Sequence, residues 1–160
     1  QLANGEVYRE SARYVAGDQA VTVDLPFARL GLTICYDLRF PHLFRTLAKD
    51  GGAEVLAVPA AFTRPTGEAH WHTLLRARAI ENGCWVLAAA QAGLHENGRE
   101  TFGHSLVVDP WGRIVAEAGV EPGVIFADID TAEVATVRGR VPAIDHDRPY
   151  GLATAGRVAP

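Results

Sequence analysis

Apolar and polar positions follow two periods along the chain, one typical of strands and one typical of helices. Apolar, β-branched runs predict strands at residues 20–25, 30–34, 54–58, 84–90, 105–109, 113–116 and 124–129. Apolar positions three and four apart predict helices at residues 40–50, 69–82 and 131–139. Residues 59–67 and 92–103 are predicted loops. The order strand–helix–strand–helix–strand predicts an α/β fold with helices covering the sheet.

Composition narrows the class of protein. The chain has 160 residues, of which 48% are hydrophobic, and a formal net charge of −4. We therefore expect a globular domain without a generally basic surface for nucleic acid. No apolar run is long enough to predict a membrane span, and the first residues do not follow the pattern of a signal peptide. Two cysteines are too few for a disulfide framework, which favours a reducing, cytoplasmic location.

Cys35 is the first candidate for chemistry. It ends the apolar run LGLTI and precedes a predicted helix. Such a junction places a side chain at the carboxyl edge of an α/β sheet, where active sites lie. The backbone N–H of Tyr36 is then available to a developing oxyanion, and the helix N-terminus favours a thiolate. On composition alone, a buried cysteine that packs as a small hydrophobic residue is the commoner outcome.

The sequence around Cys35, GLTICYDLRFP, resembles the nucleophile motif of the nitrilase, or carbon–nitrogen hydrolase, superfamily. Four more segments resemble that family in the same order, over about residues 6–150. They are Tyr8-Arg9-Glu10-Ser11 with Gly17-Asp18, then AVPAAFTRPTGEAHWHTLLRARAIENGCWVLAAAQ, GHSLVVDPWGRIVAEAG and VIFADIDTAEVATVRGRVPAIDHDRPY. The strings AHWHTLLRARAIENGCWVLAAAQAGLH and FGHSLVVDPWG most resemble the deaminated-glutathione amidase branch, close to the ω-amidases.

The resemblance implies an architecture. The family fold is a four-layer α-β-β-α sandwich, and residues 1–139 correspond to the C-terminal portion of such a domain. Residues 140–160 have little predicted structure and would form an extended tail that packs on a neighbouring subunit or remains mobile. We accordingly expect a homodimer or higher homo-oligomer.

The resemblance also implies a chemistry, the hydrolysis of a non-peptide C–N bond through a thioester and without a cofactor. Cys35 matches the nucleophile, and Glu10 matches a second glutamate that positions the lysine or the substrate. The family's base glutamate and oxyanion lysine lie upstream of the matched residues. Lys49, the only lysine, follows Cys35 on a predicted solvent-facing helix and cannot replace that lysine.

We therefore expect the 160 residues alone to be inactive and the parent protein to be an amidase. The absence of methionine agrees with a chain that begins inside a longer protein. The branch implies a terminal amide on a small carboxylate-bearing substrate, such as deaminated glutathione or an ω-amide of an α-keto acid. The alternative is a catalytically silent binding or assembly module that retains the fold.

Three residues are candidates for substrate contact. Arg39, four positions after Cys35, could bind a substrate carboxylate with two hydrogen bonds, or it could pair with Asp37 or Glu54. Phe62 and Thr66 lie in the loop after the next strand, at the same edge of the sheet. They could pack against and hydrogen-bond the substrate, or simply anchor the loop.

A metal site is not predicted. His70 and His72 form an H-x-H pair, with His42 elsewhere, but residues two apart on a helix face different sides. His104 could form a dyad with Cys35, but the family base is a glutamate, so we interpret His104 as structural. Cys84 opens a buried strand and is expected to pack as a small hydrophobic residue.

Overall fold

The computed structural model of the protein describes residues 14–153. The strands in this range are β1 (Val21–Asp24), β2 (Arg29–Leu32), β3 (Val55–Ala57), β4 (Trp85–Ala88), β5 (Ala92–Leu94), β6 (Glu100–Phe102), β7 (Leu106–Val108) and β8 (Ile114–Glu117). The α-helices are α1 (Pro41–Arg45), α2 (Arg64–Asn82) and α3 (Ala132–Arg140). A 3₁₀ helix (Cys35–Arg39) precedes α1, and a π-helical turn (Thr46–Asp50) continues it.

Six strands form one mixed sheet in the order β1-β2-β3-β4-β7-β8. β2, β3 and β4 are parallel, and the outer pairings are antiparallel. Each parallel connection carries a helix, α1 between β2 and β3 and α2 between β3 and β4, as parallel neighbours require. The predicted α/β fold is confirmed. The carboxyl ends of the three parallel strands therefore meet at one edge of the sheet.

Alternate residues of the central strands supply two hydrophobic cores. On one face, Leu56 of β3 and Val86 of β4 pack with α1 and α2, which bury Phe44 and Leu75. On the other face, Trp85 packs in a smaller cluster with Val134 of α3 and donates its indole N–H to the Asp130 carbonyl at 3.0 Å. Because the middle of the sheet is covered on both faces, its strands are continuous apolar runs in the sequence.

The outer part of the second face is exposed in the described residues. Val21 and Val23 of β1 and Leu32 of β2 point to this face, and each is 40–45% exposed. Strand register places Val21 and Leu32 in line with Ala57 of β3 and Leu87 of β4, and Val23 in line with Leu30, all on the same side. The described chain thus carries an apolar strip that its own residues only partly cover.

Two loop predictions are wrong at their edges. α2 begins at Arg64, five residues before the predicted start, because Thr63 is extended and Pro65 fits the first helical turn, where no N–H is needed. Residues 92–103 contain a small antiparallel sheet, β5 with β6, where a loop was predicted. Its strands have three residues each, and positive-φ glycines at Gly93 and Gly98 shape the hairpin, so it lacks a strand-like pattern.

The predicted strand at residues 124–129 is also wrong. Between β8 and α3 the described chain has no strand. Ile125 and Ile129 pack on the second core cluster, while Val124 and Phe126 are 78% and 88% exposed. Alternating burial is therefore present, but the segment pairs with no strand among the described residues. The predicted hairpin around Pro110-Trp111-Gly112 is confirmed as β7 and β8.

Two helical glycines give a matched test of this packing. A Cβ on Gly67 of α2 would overlap the side chain of Phe102 in β6, whereas a Cβ on Gly139 of α3 would meet no atom within 4 Å. We expect Gly67→Ala to lower the free energy of unfolding by about 1–3 kcal/mol through overpacking. We expect Gly139→Ala to be neutral or to raise it by up to about 1 kcal/mol. Denaturant unfolding of the full-length protein measures both, and equal effects would contradict the contact between α2 and β6.

Candidate active site

Cys35 lies at a strained junction between β2 and the 3₁₀ helix. Its φ is 48°, in the left-handed region that non-glycine residues seldom occupy. Backbone hydrogen bonds continue the pairing beyond β2, from Thr33 N–H to Ala57 O at 3.1 Å and from Cys35 N–H to Pro59 O at 2.9 Å. The side chain of Cys35 is half-buried against the first core cluster. The structure thus has the abrupt strand-to-helix turn that the sequence predicts.

The 3₁₀ helix that follows is fastened at its first turn. The Ile34 N–H donates to Asp37 Oδ2 at 2.8 Å, and the Asp37 N–H donates to the Ile34 carbonyl at 3.0 Å. That is the first hydrogen bond of the helix, so the preceding N–H of Tyr36 has no partner within it. An N–H in this position, next to Cys35, is available to a developing oxyanion.

Arg39 is the cation nearest to Cys35 along the chain, and it is held by aromatic rings. Its guanidinium carbon lies 4.8 Å from the ring centroid of Phe62 and 5.4 Å from that of Tyr36. One guanidinium nitrogen lies 3.5 Å from Nδ1 of His70. Stacking of this kind orients the flat guanidinium and leaves its N–H edge for a ligand.

The alternative partners of Arg39 are engaged elsewhere. Asp37 accepts from the Ile34 N–H, and Glu54 accepts from the backbone N–H of Arg29 at 3.1 Å. Among residues 14–153 no carboxylate forms an ion pair with Arg39. The predicted pairing with Asp37 or Glu54 is therefore absent from the described chain.

The other two predicted contact residues, Phe62 and Thr66, have different surroundings. Phe62 is 6% exposed, supports Arg39 and packs on Trp71 with ring centroids 4.9 Å apart. The Thr66 hydroxyl instead lies 2.8 Å from Thr63 Oγ1 and 3.1 Å from the Thr63 carbonyl, at the start of α2. Its hydrogen bonds thus join it to the helix terminus, as the loop-anchoring interpretation expects. Glu10 lies outside the described residues.

Arg78 is a supporting residue that the sequence analysis missed. It is 5% exposed, and two of its guanidinium nitrogens donate to the Leu38 carbonyl at 2.7 and 3.1 Å. Its guanidinium also stacks on Phe44 and pairs with Glu81. This contact ties the 3₁₀ helix that carries Tyr36 and Arg39 to the middle of α2. Helical spacing could have indicated this role, because Arg78 follows Leu74 and Leu75 by four and three positions on the apolar side of α2.

Lys49 and Cys84 behave as the sequence predicts. Lys49 is exposed and lies 3.4 Å from Asp147 Oδ2, in an ion pair away from the sheet edge. Cys84 is fully buried, and this burial raises the pKa of its thiol to about 11 although Arg138 Nη2 lies 3.0 Å from the sulfur and opposes the shift. The two cysteines therefore have very different surroundings.

The histidines of α2 point to different partners, as their spacing predicts. His70 faces Arg39, whereas His72 Nε2 lies 2.8 Å from Glu117 Oε1. The same oxygen lies 2.9 Å from His104 Nδ1. Burial alone would raise the pKa of the Glu117 carboxyl, but hydrogen bonds from both histidines outweigh this and lower it. The sequence analysis missed this cluster, because its members are 13 and 32 positions apart and match no spacing motif.

Residues 14–153 include no helix that is both long and apolar enough to span a membrane.

Comparison with known families settles the class of protein. The family model for carbon–nitrogen hydrolase matches residues 2–139. That range contains both cysteines, the strained junction and the aromatic support of Arg39. The chain therefore belongs to the carbon–nitrogen hydrolase family.

The relatives agree with this assignment. The chain is 50% identical over 141 residues to the deaminated glutathione amidase of Yersinia enterocolitica, covering 88% of this chain and 49% of the relative. It is 50% identical over 131 residues to the human protein of the same name, covering 81% and 40% respectively. The chain thus spans about half the length of the curated relatives it matches or less.

Solved structures show the same fold. The crystal structure of the Caenorhabditis elegans NitFhit protein matches 91% of this chain and 35% of its own, with a TM-score of 0.84 and 50% identity. A mutant of the amidase from Nesterenkonia sp. AN1 matches 86% of this chain and 54% of its own, with a TM-score of 0.69 and 33% identity. That structure shows Michael addition of acrylamide at the active-site cysteine of the Nesterenkonia enzyme.

The two cysteines should differ sharply in reactivity. Only a thiolate is alkylated, and a pKa of about 11 leaves about one Cys84 thiol in a thousand ionised at pH 8, inside a closed core. We expect iodoacetamide to modify Cys35 at least about 100-fold faster than Cys84. Peptide mass spectrometry over a time course measures both rates. Equal, slow labelling would contradict an activated nucleophile at Cys35.

Proposed function

We propose that Cys35 is the nucleophile of an amidase that hydrolyses a C–N bond through a thioester. The observation that carries this proposal is the strained backbone of Cys35 at the carboxyl edge of the parallel strands, with the Tyr36 N–H beside it. Strain at a non-glycine residue persists where the surroundings enforce it, which is common at reactive sites. The family assignment and the cysteine adduct of the Nesterenkonia amidase support the same role.

The reaction follows from this geometry. The Cys35 thiolate attacks the amide carbonyl carbon, and the charge that develops on oxygen is received by the Tyr36 N–H. The C–N bond breaks, ammonia leaves with a proton from a general acid, and a thioester remains. Water then attacks the thioester, giving a carboxylic acid and restoring the thiol.

The remaining groups lie outside the described residues in this proposal. Glu10 acts as the second glutamate, positioning the lysine or the substrate, while the base glutamate and the oxyanion lysine belong to a segment before this chain. A second sheet from that segment would cover the exposed strip of Val21, Val23 and Leu32 and complete a four-layer sandwich. Residues 140–153 contain little regular structure and would contribute to a homo-oligomeric contact.

Arg39 is the proposed anchor for a carboxylate of the substrate. It is half-buried, oriented by Phe62 and Tyr36, and lacks an ion-pair partner among residues 14–153. A flat guanidinium in this setting suits a two-point contact with a carboxylate. A small amide that also carries a carboxylate, such as deaminated glutathione, fits this site. Phe62 forms the apolar wall, and Thr66 contributes by holding the start of α2.

Replacement of the thiol tests the nucleophile. We expect Cys35→Ser in the full-length protein to lower kcat for deaminated glutathione by at least about 1,000-fold, since a hydroxyl without a strong base is a poor nucleophile. Cys84→Ser is the matched control and should retain activity within a few-fold. Ammonia release measures turnover. If the wild-type full-length protein releases no ammonia from any carboxylate-bearing amide, a silent binding module is the better description.

Replacement of Arg39 tests the anchor. We expect Arg39→Gln to raise KM for a carboxylate-bearing amide by roughly 10–100-fold, the loss of a charge-assisted contact, with a smaller change in kcat. KM for a neutral amide of the same size should hardly change. Lys49→Gln, which removes an exposed cation that has no role in the proposed site, serves as the control. An equal loss on both amides would contradict the carboxylate contact.

A further inference from the structure

Three side chains that the proposed reaction does not use converge beside the β7–β8 hairpin. His72 projects from α2, His104 precedes β7, and Glu117 ends β8. We call them the His72–His104–Glu117 cluster. One ligand atom from each lies within 4.8 Å of the others, and each side chain is about one-third exposed. The three elements that meet here are far apart in the sequence, so the convergence is a product of the fold.

The donor set has a clear chemical preference. Two imidazole nitrogens and one carboxylate oxygen form the ligand set of many zinc sites, with a fourth position left for water. Imidazole suits zinc and its transition-metal neighbours, whereas calcium and magnesium prefer all-oxygen sites. The Glu117 oxygen already lies 2.8 Å from His72 Nε2 and 2.9 Å from His104 Nδ1.

His104 is held in place by contacts that do not involve Glu117. Its φ is 57°, in the left-handed region that non-glycine residues seldom occupy. The Trp71 indole N–H donates to the His104 carbonyl at 2.8 Å, and the His104 N–H donates to Gly119 O at 3.1 Å. Its ring stacks on Phe102 with centroids 4.4 Å apart. The strained backbone is thus fixed from three sides, which presents the imidazole toward Glu117 in advance.

We propose that the His72–His104–Glu117 cluster binds a divalent transition-metal ion, with Zn²⁺ as the preferred cation. Tetrahedral coordination at zinc–ligand distances of about 2.0–2.1 Å separates neighbouring ligand atoms by about 3.3 Å. The two present nitrogen–oxygen distances need to lengthen by about half an ångström, and the two histidine nitrogens, which lie within 4.8 Å of each other, need to reach the same separation. Rotations of these partly exposed side chains supply both changes.

The position of the cluster determines both its access to solvent and the effect that a bound metal would have on the fold. His104 lines an open groove of about 930 Å³, so a metal at the cluster can exchange with solvent and keep a water ligand. Bound metal would tie α2 to both ends of the β7–β8 hairpin. Since α2 also carries Arg78 and packs under Phe62, the site would stabilise the frame behind the candidate active site.

The test measures metal binding directly in the full-length protein. A Cys35→Ser background removes the half-buried thiol as a competing ligand. Zn²⁺ is titrated against a chromophoric chelator, and Co²⁺ is added as a spectroscopic probe. The variants are His72→Asn, His104→Asn and Glu117→Gln. Asparagine tolerates positive φ and so preserves the backbone at position 104. His146→Asn, which removes an exposed histidine elsewhere, is the matched control.

We expect one Zn²⁺ per chain and a visible Co²⁺ spectrum of tetrahedral intensity. Loss of a residue that only hydrogen-bonds a metal ligand costs about 10–100-fold in metal affinity. Loss of a ligand itself should therefore weaken Zn²⁺ binding by at least about 100-fold. His146→Asn should bind as the parent does. Unchanged affinity in folded ligand variants would overturn the proposal. If those variants do not fold, the spectrum of the Cys35→Ser protein tests the proposal. Absence of tetrahedral Co²⁺ bands would overturn it, and so would a thiolate charge-transfer band, because that band assigns the metal to cysteine.

Discussion

The backbone hydrogen bond from Cys35 N–H to the Pro59 carbonyl, 2.9 Å long, controls the rest of the candidate site. It extends the pairing of two parallel strands beyond the end of β2, while Asp37 draws the chain into a 3₁₀ helix at once. Between these constraints Cys35 takes a φ of 48°, which costs on the order of 1–3 kcal/mol for a non-glycine residue. The pairing of the parallel strands offsets that cost, and the thiol consequently lies at the edge of the sheet where three strands end.

Residues around this junction hold the 3₁₀ helix and the Arg39 side chain in fixed orientations. Arg78, buried within α2, binds the Leu38 carbonyl and so fixes the helix that carries Tyr36 and Arg39. Phe62 lies against the Arg39 guanidinium and packs in turn on Trp71 of α2. The same helix α2 therefore orients both the neighbours of Cys35 and the guanidinium of Arg39. A displacement of α2 would move both together.

The sequence predicts most of this fold because its strongest signals are local. The apolar runs LGLTI and CWVLAAA and the periodic helix before Gly83 need no partner to be recognised. The features that the sequence does not reveal depend on contacts between segments that are distant along the chain. Residues 124–129 alternate as a strand does but pair with no strand in the described chain. Cys35 could be placed from its junction, whereas the aromatic support of Arg39 and the meeting of His72, His104 and Glu117 arise only when distant segments pack.

The proposed reaction requires Cys35 to form a covalent acyl intermediate. The most direct measurement mixes the full-length protein with a carboxylate-bearing amide, quenches with acid during turnover and maps the adduct by peptide mass spectrometry. We expect an acyl group on the peptide that contains Cys35, lost on treatment with hydroxylamine as a thioester is. Turnover with no adduct on that peptide, or with the acyl group on another residue, would contradict it.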